Sequence, residues 1–224
     1  VKVIRNVVIL FILFTTTRCA STKLSAIRNL EIQNIKLQKI MVVAPFRDIG
    51  LRQETEGSFI ASLKTYQEKT KIYRRTRYDR YRPIEVDFLR SIDIIPPFKE
   101  YNHNEIGEKL SEKEIDGILV VALEDYWTSQ TYIPKFSETK GEFKVYGNAL
   151  HYDSYTQESG GYYISKPRVK FEIRLYDVAS GEVIWMATSV TTGNAFAKYG
   201  NLVESLSMLV LEELAKEDII TKQN

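Results

Sequence analysis

A single cysteine, Cys19, is all the thiol in a chain of 224 residues, so no intramolecular disulfide can staple the fold. Prolines number 6 and glycines 11, too few for a collagen-like repeat or a long flexible tract. No internal repeat is found. The two histidines, His103 and His151, stand far apart and in no metal-ligand spacing. There is no G-x-S-x-G elbow and no glycine loop to cradle phosphate. Glu124, Asp125 and Asp153 are carboxylates near strand ends, but acids there are ordinary surface features, so a hydrolase reading ranks last. No metal, no cofactor and no catalytic constellation is expected. Against these absences, 44% of residues are hydrophobic and 27% charged, which is enough apolar material for a packed core.

The first residues differ from the rest. Lys2 and Arg5 precede an unbroken apolar run, Val7 to Phe14, and "TTTRCAS" follows. A basic start, a short apolar centre and a cleavage zone describe an export signal. The run is too short to span a bilayer as a helix, which takes roughly 20 residues. Residues 1–18 are therefore expected to be a signal peptide. Cys19 then stands where bacterial lipoproteins carry their lipid, and the resemblance implies a membrane anchor at that thiol. Loss of Lys2, Arg5 and Arg18 lowers the basic count from 31 to 28 against 29 acids. The basic balance of the whole chain then reflects targeting, not nucleic-acid binding, and no nucleic-acid partner is expected. Ala20 after the cysteine favours, by the same resemblance, the outer membrane facing the periplasm.

Residues 19–38 read as the lipidated cysteine and a tether, and 39–222 as one α/β domain. "KIMVVAPF" is a buried strand closed by a proline. Phe59, Ile60, Leu63 and Tyr66 recur at helical spacing behind it. "YRPIEVDFLRSIDIIPPF" carries another short β-rich piece, ending in Pro96 and Pro97. A helix is predicted over 103–116, capped by Asn104, with Ser111 and Glu114 as a second capping box. "DGILVVALEDY" is the next apolar strand. The order β–α–β–α–β implies a mixed sheet of about five strands with helices packed on it, an α/β (α+β) sandwich. A long antiparallel hairpin is expected around Gly160 and Gly161. "RVKFEIRLYDV" alternates as a half-buried antiparallel strand. In "LYDVASGEVIWMA", Asp177 and Gly181 supply turn chemistry, and Trp185 packs on the core with its indole N–H meeting an acceptor near the rim. A last amphipathic helix, capped by Asn201, buries Leu202, Val203, Leu206, Leu209, Val210 and Leu214.

Two segments suggest contact surfaces. "KIYRRTRYDRYRP" carries Arg74, Arg75, Arg77 and Arg80 among tyrosines, which in an exported protein suits an anionic envelope surface. A solvated charged face is the plainer reading. From 126 to 163 lie seven of the fourteen tyrosines. Tyr132, Tyr146, Tyr152, Tyr155, Tyr162 and Tyr163 are the candidate partner-binding residues, because tyrosine gives large contact area at low entropic cost.

The sequence of strand, helix, "DGILVVAL", long hairpin, "LYDVASGEVIW" and terminal helix resembles a group of bacterial envelope lipoproteins. The group includes the curli-secretion lipoprotein, the lipoprotein activators of penicillin-binding proteins and the amino-terminal domain of the Tol system's propeller protein. The matching residues of the "D-x-x-[ST]-G-x-x-x-W" hairpin are Asp177, Ser180, Gly181 and Trp185. The resemblance implies a non-enzymatic protein that binds or helps assemble another envelope component, whether an envelope protein or the cell-wall machinery. The alternative is a subunit of an oligomeric secretion complex, with further copies of itself as partners. A membrane-spanning hairpin is disfavoured, because "EFKVYGNALHY" read as one strand mixes polar and apolar residues on both faces.

Overall fold

The computed structural model describes residues 19–32, 35–73, 83–98, 100–146 and 149–221. Within them lies a six-stranded sheet in the order β1-β8-β7-β4-β2-β3 and a two-stranded ribbon β5-β6. The strands are β1 (Ala20–Arg28), β2 (Lys39–Val43), β3 (Asp87–Arg90), β4 (Gly117–Ile133), β5 (Phe136–Tyr146), β6 (Ala149–Ser159), β7 (Tyr162–Asp177) and β8 (Val183–Gly193). The helices are α1 (Ile49–Tyr73), α2 (Ser91–Ile94), α3 (His103–Glu112) and α4 (Tyr199–Lys216). β2 pairs in parallel with β3 and β4, each reached through a helical connection long enough for a crossover, and β4, β7, β8 and β1 run antiparallel. The fold is the expected α/β class, and the sheet is open, ending at β1 and β3.

Alternation along β2 divides the interior. Ile40 and Val42 face α1 and α4 and join the main core with Phe59, Leu119, Phe171, Trp185 and Leu206. Met41 and Val43 face the other way, onto a smaller cluster with Ile94, Leu110 and Ile115. Helices thus cover both faces of the parallel half. On the antiparallel half, Lys23, Ser25 and Ile27 of β1 and Met186 and Thr188 of β8 face solvent. α1 and α4 meet through a buried hydrogen bond between Ser62 and Ser207, 2.6 Å, where two small side chains allow close approach.

Four sequence expectations change here. Residues 20–28 are not a tether: alternation in "ASTKLSAIR" places Leu24 and Ala26 against the core, and the segment forms the edge strand β1. The scattered apolar residues are a period-2 pattern with one apolar face. The helix expected over 103–116 ends at Glu112. Its cap is Asn102, whose side chain accepts from Glu105 N–H at 2.9 Å while Glu105 accepts from Asn102 N–H at 3.0 Å. Glu114 takes φ 55 and stops the helix instead of restarting it. At the start of α4, Asn201 works backwards, its Oδ1 accepting the Lys198 N–H at 3.0 Å. Finally, β4 and β7 form the long antiparallel arm, paired from Gly117↔Asp177 out to Ile133↔Tyr162, and β5-β6 is inserted at its tip. Gly160 and Gly161 turn the chain from β6 into β7, with φ of 89° and 73°. A Cβ at Gly160 would collide with the Pro134 carbonyl, so the corner requires glycine twice over, by φ and by space.

Candidate functional site

Cys19 is exposed and sits one residue before β1. Its carbonyl accepts the Asn194 N–H at 2.8 Å, which ties it to the turn between β8 and α4. Thr22, three residues on, hydrogen bonds Thr191 and Ser205, each at 2.9 Å, and so fastens β1 to both β8 and α4. Beside Cys19 a cleft of about 440 Å³ opens between β1 and α4, with Lys69, Glu204, Ser205, Met208 and Glu212 on its walls. The residues proposed as a signal, 1–18, lie outside the described residues.

The arm carries the described tyrosines of the candidate surface. Tyr132 is 48% exposed, Tyr162 53% and Tyr163 67%, so none of the three belongs to the core. Tyr132 and Tyr163 are cross-strand partners with ring centroids 5.0 Å apart. Such a pair holds its two rings in place without hiding them. The side chains of Tyr146, Tyr152 and Tyr155 lie outside the described residues. So do Arg74, Arg75, Arg77 and Arg80, which follow the end of α1.

In the ribbon, Val145 pairs with Leu150, Phe143 with Tyr152, Lys144 with His151 and Glu142 with Asp153. The side chains weighed for a spanning hairpin lie outside the described residues.

The turn in "LYDVASGEVIWMA" is built from its own side chains. Asp177 Oδ2 accepts the Ser180 N–H at 2.8 Å and its hydroxyl at 2.7 Å, and Gly181 takes φ 73°. Trp185 is fully buried, and among the described residues its indole nitrogen has no hydrogen-bond partner. The expected acceptor at the rim is therefore not found there; on the edge side of β8, Arg28 of β1 is the register partner of Trp185.

Of the acids weighed for hydrolysis, Glu124 is engaged otherwise, and the side chains of Asp153 and His151 lie outside the described residues. Glu124 sits at a register shift in β4 and pairs with Lys170 at 2.6 Å, and that bond holds the Lys170 ammonium above its usual range. Among the described residues, no three of His, Cys, Asp and Glu gather as a metal site would require. His103 opens α3 at the surface.

Sequence reasoning missed Glu56. Its carboxylate is fully buried. Oε1 accepts from Ala44 N–H at 3.2 Å, Arg52 Nε at 3.0 Å and the Ser91 hydroxyl at 2.6 Å, and Oε2 accepts from Ile92 N–H at 3.0 Å. Arg52 also donates to Ser91 at 2.7 Å. One side chain thus joins α1 to the carboxyl ends of β2 and β3, where open α/β sheets commonly bind ligands. Here that end is closed by its own hydrogen bonds. The signal was present in the spacing: Glu56 precedes Phe59 by three residues and Leu63 by seven, on the apolar face of α1.

No protein-family profile matches the chain, and no curated protein matches its sequence. Among solved structures it is similar to the PelC dodecamer from Paraburkholderia phytofirmans, with 13% identity, 90% of this chain and 99% of that chain covered, and a TM-score of 0.47. It is also similar to the lipoprotein GNA1162 from Neisseria meningitidis, with 17% identity, coverage of 80% and 99%, and a TM-score of 0.36. A PDZ domain protein from Parabacteroides distasonis aligns at 10% identity and a TM-score of 0.34, covering 93% of this chain and 38% of that one.

Proposed function

We propose that the chain is a non-enzymatic lipoprotein of the bacterial cell envelope, anchored by a lipid on Cys19 and facing the periplasm from the outer membrane. Its task is to bind another envelope component, with the exposed tyrosines of the β4–β7 arm as the contact residues. The observation that carries the reading is the placement of Tyr132, Tyr162 and Tyr163: three large aromatic side chains stand largely in solvent on a paired antiparallel arm. Exposed tyrosine on a preformed support suits recognition, because little order remains to be imposed on binding. An export-like segment ending at the sole cysteine supports the location.

The test is a photo-crosslinking group placed at residue 163 in the native envelope, with mass spectrometry of what it captures. A reproducible envelope protein captured at 163, and not from a position on the exposed face of α1, is the expected result. Turnover of a wall or lipid substrate that is lost on changing Glu124 or Asp125 would instead establish a hydrolase.

A further inference from the structure

The six-stranded sheet ends at two edges of different kinds. β3 is four residues long and runs straight into α2 at Ser91. Past the end of β2, the outer side of β4 is interrupted by the register shift at Glu124. Short strands and bulges of this kind keep a sheet from pairing further. β1 has neither device. It is nine residues long, holds no proline or glycine, and matches β8 from Ala20↔Gly193 to Arg28↔Trp185 without a shift.

The backbone along this edge is unpaired. The Asn194 N–H donates to the Cys19 carbonyl and the Asn29 N–H to the Ile184 carbonyl, so the odd-numbered residues of β1 bond to β8. Ala20, Thr22, Leu24, Ala26 and Arg28 turn their N–H and C=O groups outward, where no strand of the described residues meets them. Donors and acceptors repeated at every second residue, about 6.6 Å apart, match an extended polypeptide. The cleft of about 440 Å³ opens beside them, with Ala20, Ser21 and Thr22 on one wall and Ser205, Met208 and Leu209 of α4 on another, so side chains of an added strand have space.

We propose that the added strand is β1 of a second copy, paired antiparallel about a two-fold axis at Leu24, which joins the two sheets into one. The strand is complementary to itself. This axis uses every outward residue: Ala20 meets Arg28, Thr22 meets Ala26 and Leu24 meets its own copy, for about ten hydrogen bonds at two per pair. On the other face Lys23 stands opposite Ser25, and Ile27 opposite Ser21, so no like charges are directly opposed. An axis at Lys23 would set two ammonium groups face to face, and an axis at Ser25 would leave Ala20 without a partner in the strand. Arg28 of the second copy arrives beside Ala20, at a cleft that carries Glu204 and Glu212 against Lys69. Its guanidinium keeps donors beyond the one given to the Glu217 carbonyl. This match of register and charge favours a copy of this chain over a strand from another protein. The axis is normal to the sheet, so both copies of Cys19 lie at one height and a single bilayer can reach them. The pairing goes beyond the arm-tyrosine reading and does not depend on it.

The test uses the full chain. Lys23→Cys and Ser25→Cys, on copies with different tags, are co-expressed and oxidised in native membranes, with the parent chain setting the background from Cys19. An axis at Leu24 brings residue 23 of one copy opposite residue 25 of the other, with Cα atoms about 4.5 Å apart, while identical positions stay about 7–8 Å apart, too far for a disulfide. The expected result is a mixed dimer at least about fivefold more abundant than either self-linked dimer. Self-linking as strong as the mixed product overturns this register, and no linking above background overturns the pairing. Ala26→Pro supplies an independent arm, because it removes an outward N–H and no β1–β8 bond, a change that an edge strand tolerates. Native mass spectrometry of the detergent-extracted chain is expected to show a dimeric parent and a monomeric Ala26→Pro variant with the same circular dichroism. A folded variant that stays dimeric overturns the proposal. So does a monomeric parent whose β1 cysteines capture another envelope protein, which would identify a strand from a different partner.

Discussion

Replacing Glu56 by glutamine should destabilise the domain nearly as much as replacing it by alanine. All four groups around this carboxylate are donors: the Ala44 and Ile92 N–H groups, the Ser91 hydroxyl and the Arg52 guanidinium. Alanine leaves them buried without an acceptor, and breaking a buried ion pair in this way costs about 3–5 kcal/mol. Glutamine keeps one oxygen but must turn its NH2 toward a donor, which forfeits a charge-assisted bond and leaves a buried clash, together about 2–4 kcal/mol. Part of the Arg52 term is recovered, because its side chain retains 16% exposure and can turn to water. Urea unfolding followed by far-UV circular dichroism measures both variants, with the m-value checking that the extent of unfolding is unchanged. A Glu56→Gln loss below about 0.5 kcal/mol would refute the all-donor description of the site.

The two strained glycine corners should differ in kind. Gly181 has φ 73° and open space around it, so Gly181→Val costs roughly 1–2 kcal/mol through the backbone alone, read from the urea midpoint. Gly160→Ala should cost more than Gly181→Ala, since its Cβ also meets the Pro134 carbonyl. Tyr199 is pushed up to about 12 by burial, despite a hydrogen bond with Thr55 that lowers it. Between the unfolded value near 10 and that figure the unfolded chain holds fewer protons, so stability should fall as pH rises through about 10 to 12. Tyr199→Phe should flatten the fall in thermal melts across that window. Neutralising Arg74, Arg75, Arg77 and Arg80 together should leave the melting temperature within a degree or two and lower retention on anionic liposomes in a salt-dependent way. Equal retention of mutant and parent would identify a solvated face.

Long, strongly periodic segments were legible in the sequence. The strand at 39–43, the α1 face through Phe59, Leu63 and Tyr66, and the strand 168–177 all appear where their periods place them. The Asp177–Gly181 turn was legible because its chemistry is local. β1 was not, because an edge strand buries one face only, and in "ASTKLSAIR" that face holds Ala20, Thr22, Leu24 and Ala26, small or polar residues with a single large apolar one. Residues 20–28 accordingly read as a tether. The insertion of β5-β6 into the arm was hidden because pairing between Ile133 and Tyr162 depends on distant register, not on local pattern. Glu56 was overlooked because an acid on a helix face is usually solvated, and only the fold brings Ser91 and Ile92 to it.

The account stands most directly on Cys19. Intact mass spectrometry of the chain from the membrane fraction, beside a Cys19→Ala variant, tests it. The expected result is a membrane-bound chain that begins at Cys19 with added lipid mass, and a variant that is released or left unprocessed. A chain that stays with the membrane while Cys19 remains an unmodified thiol would contradict the account.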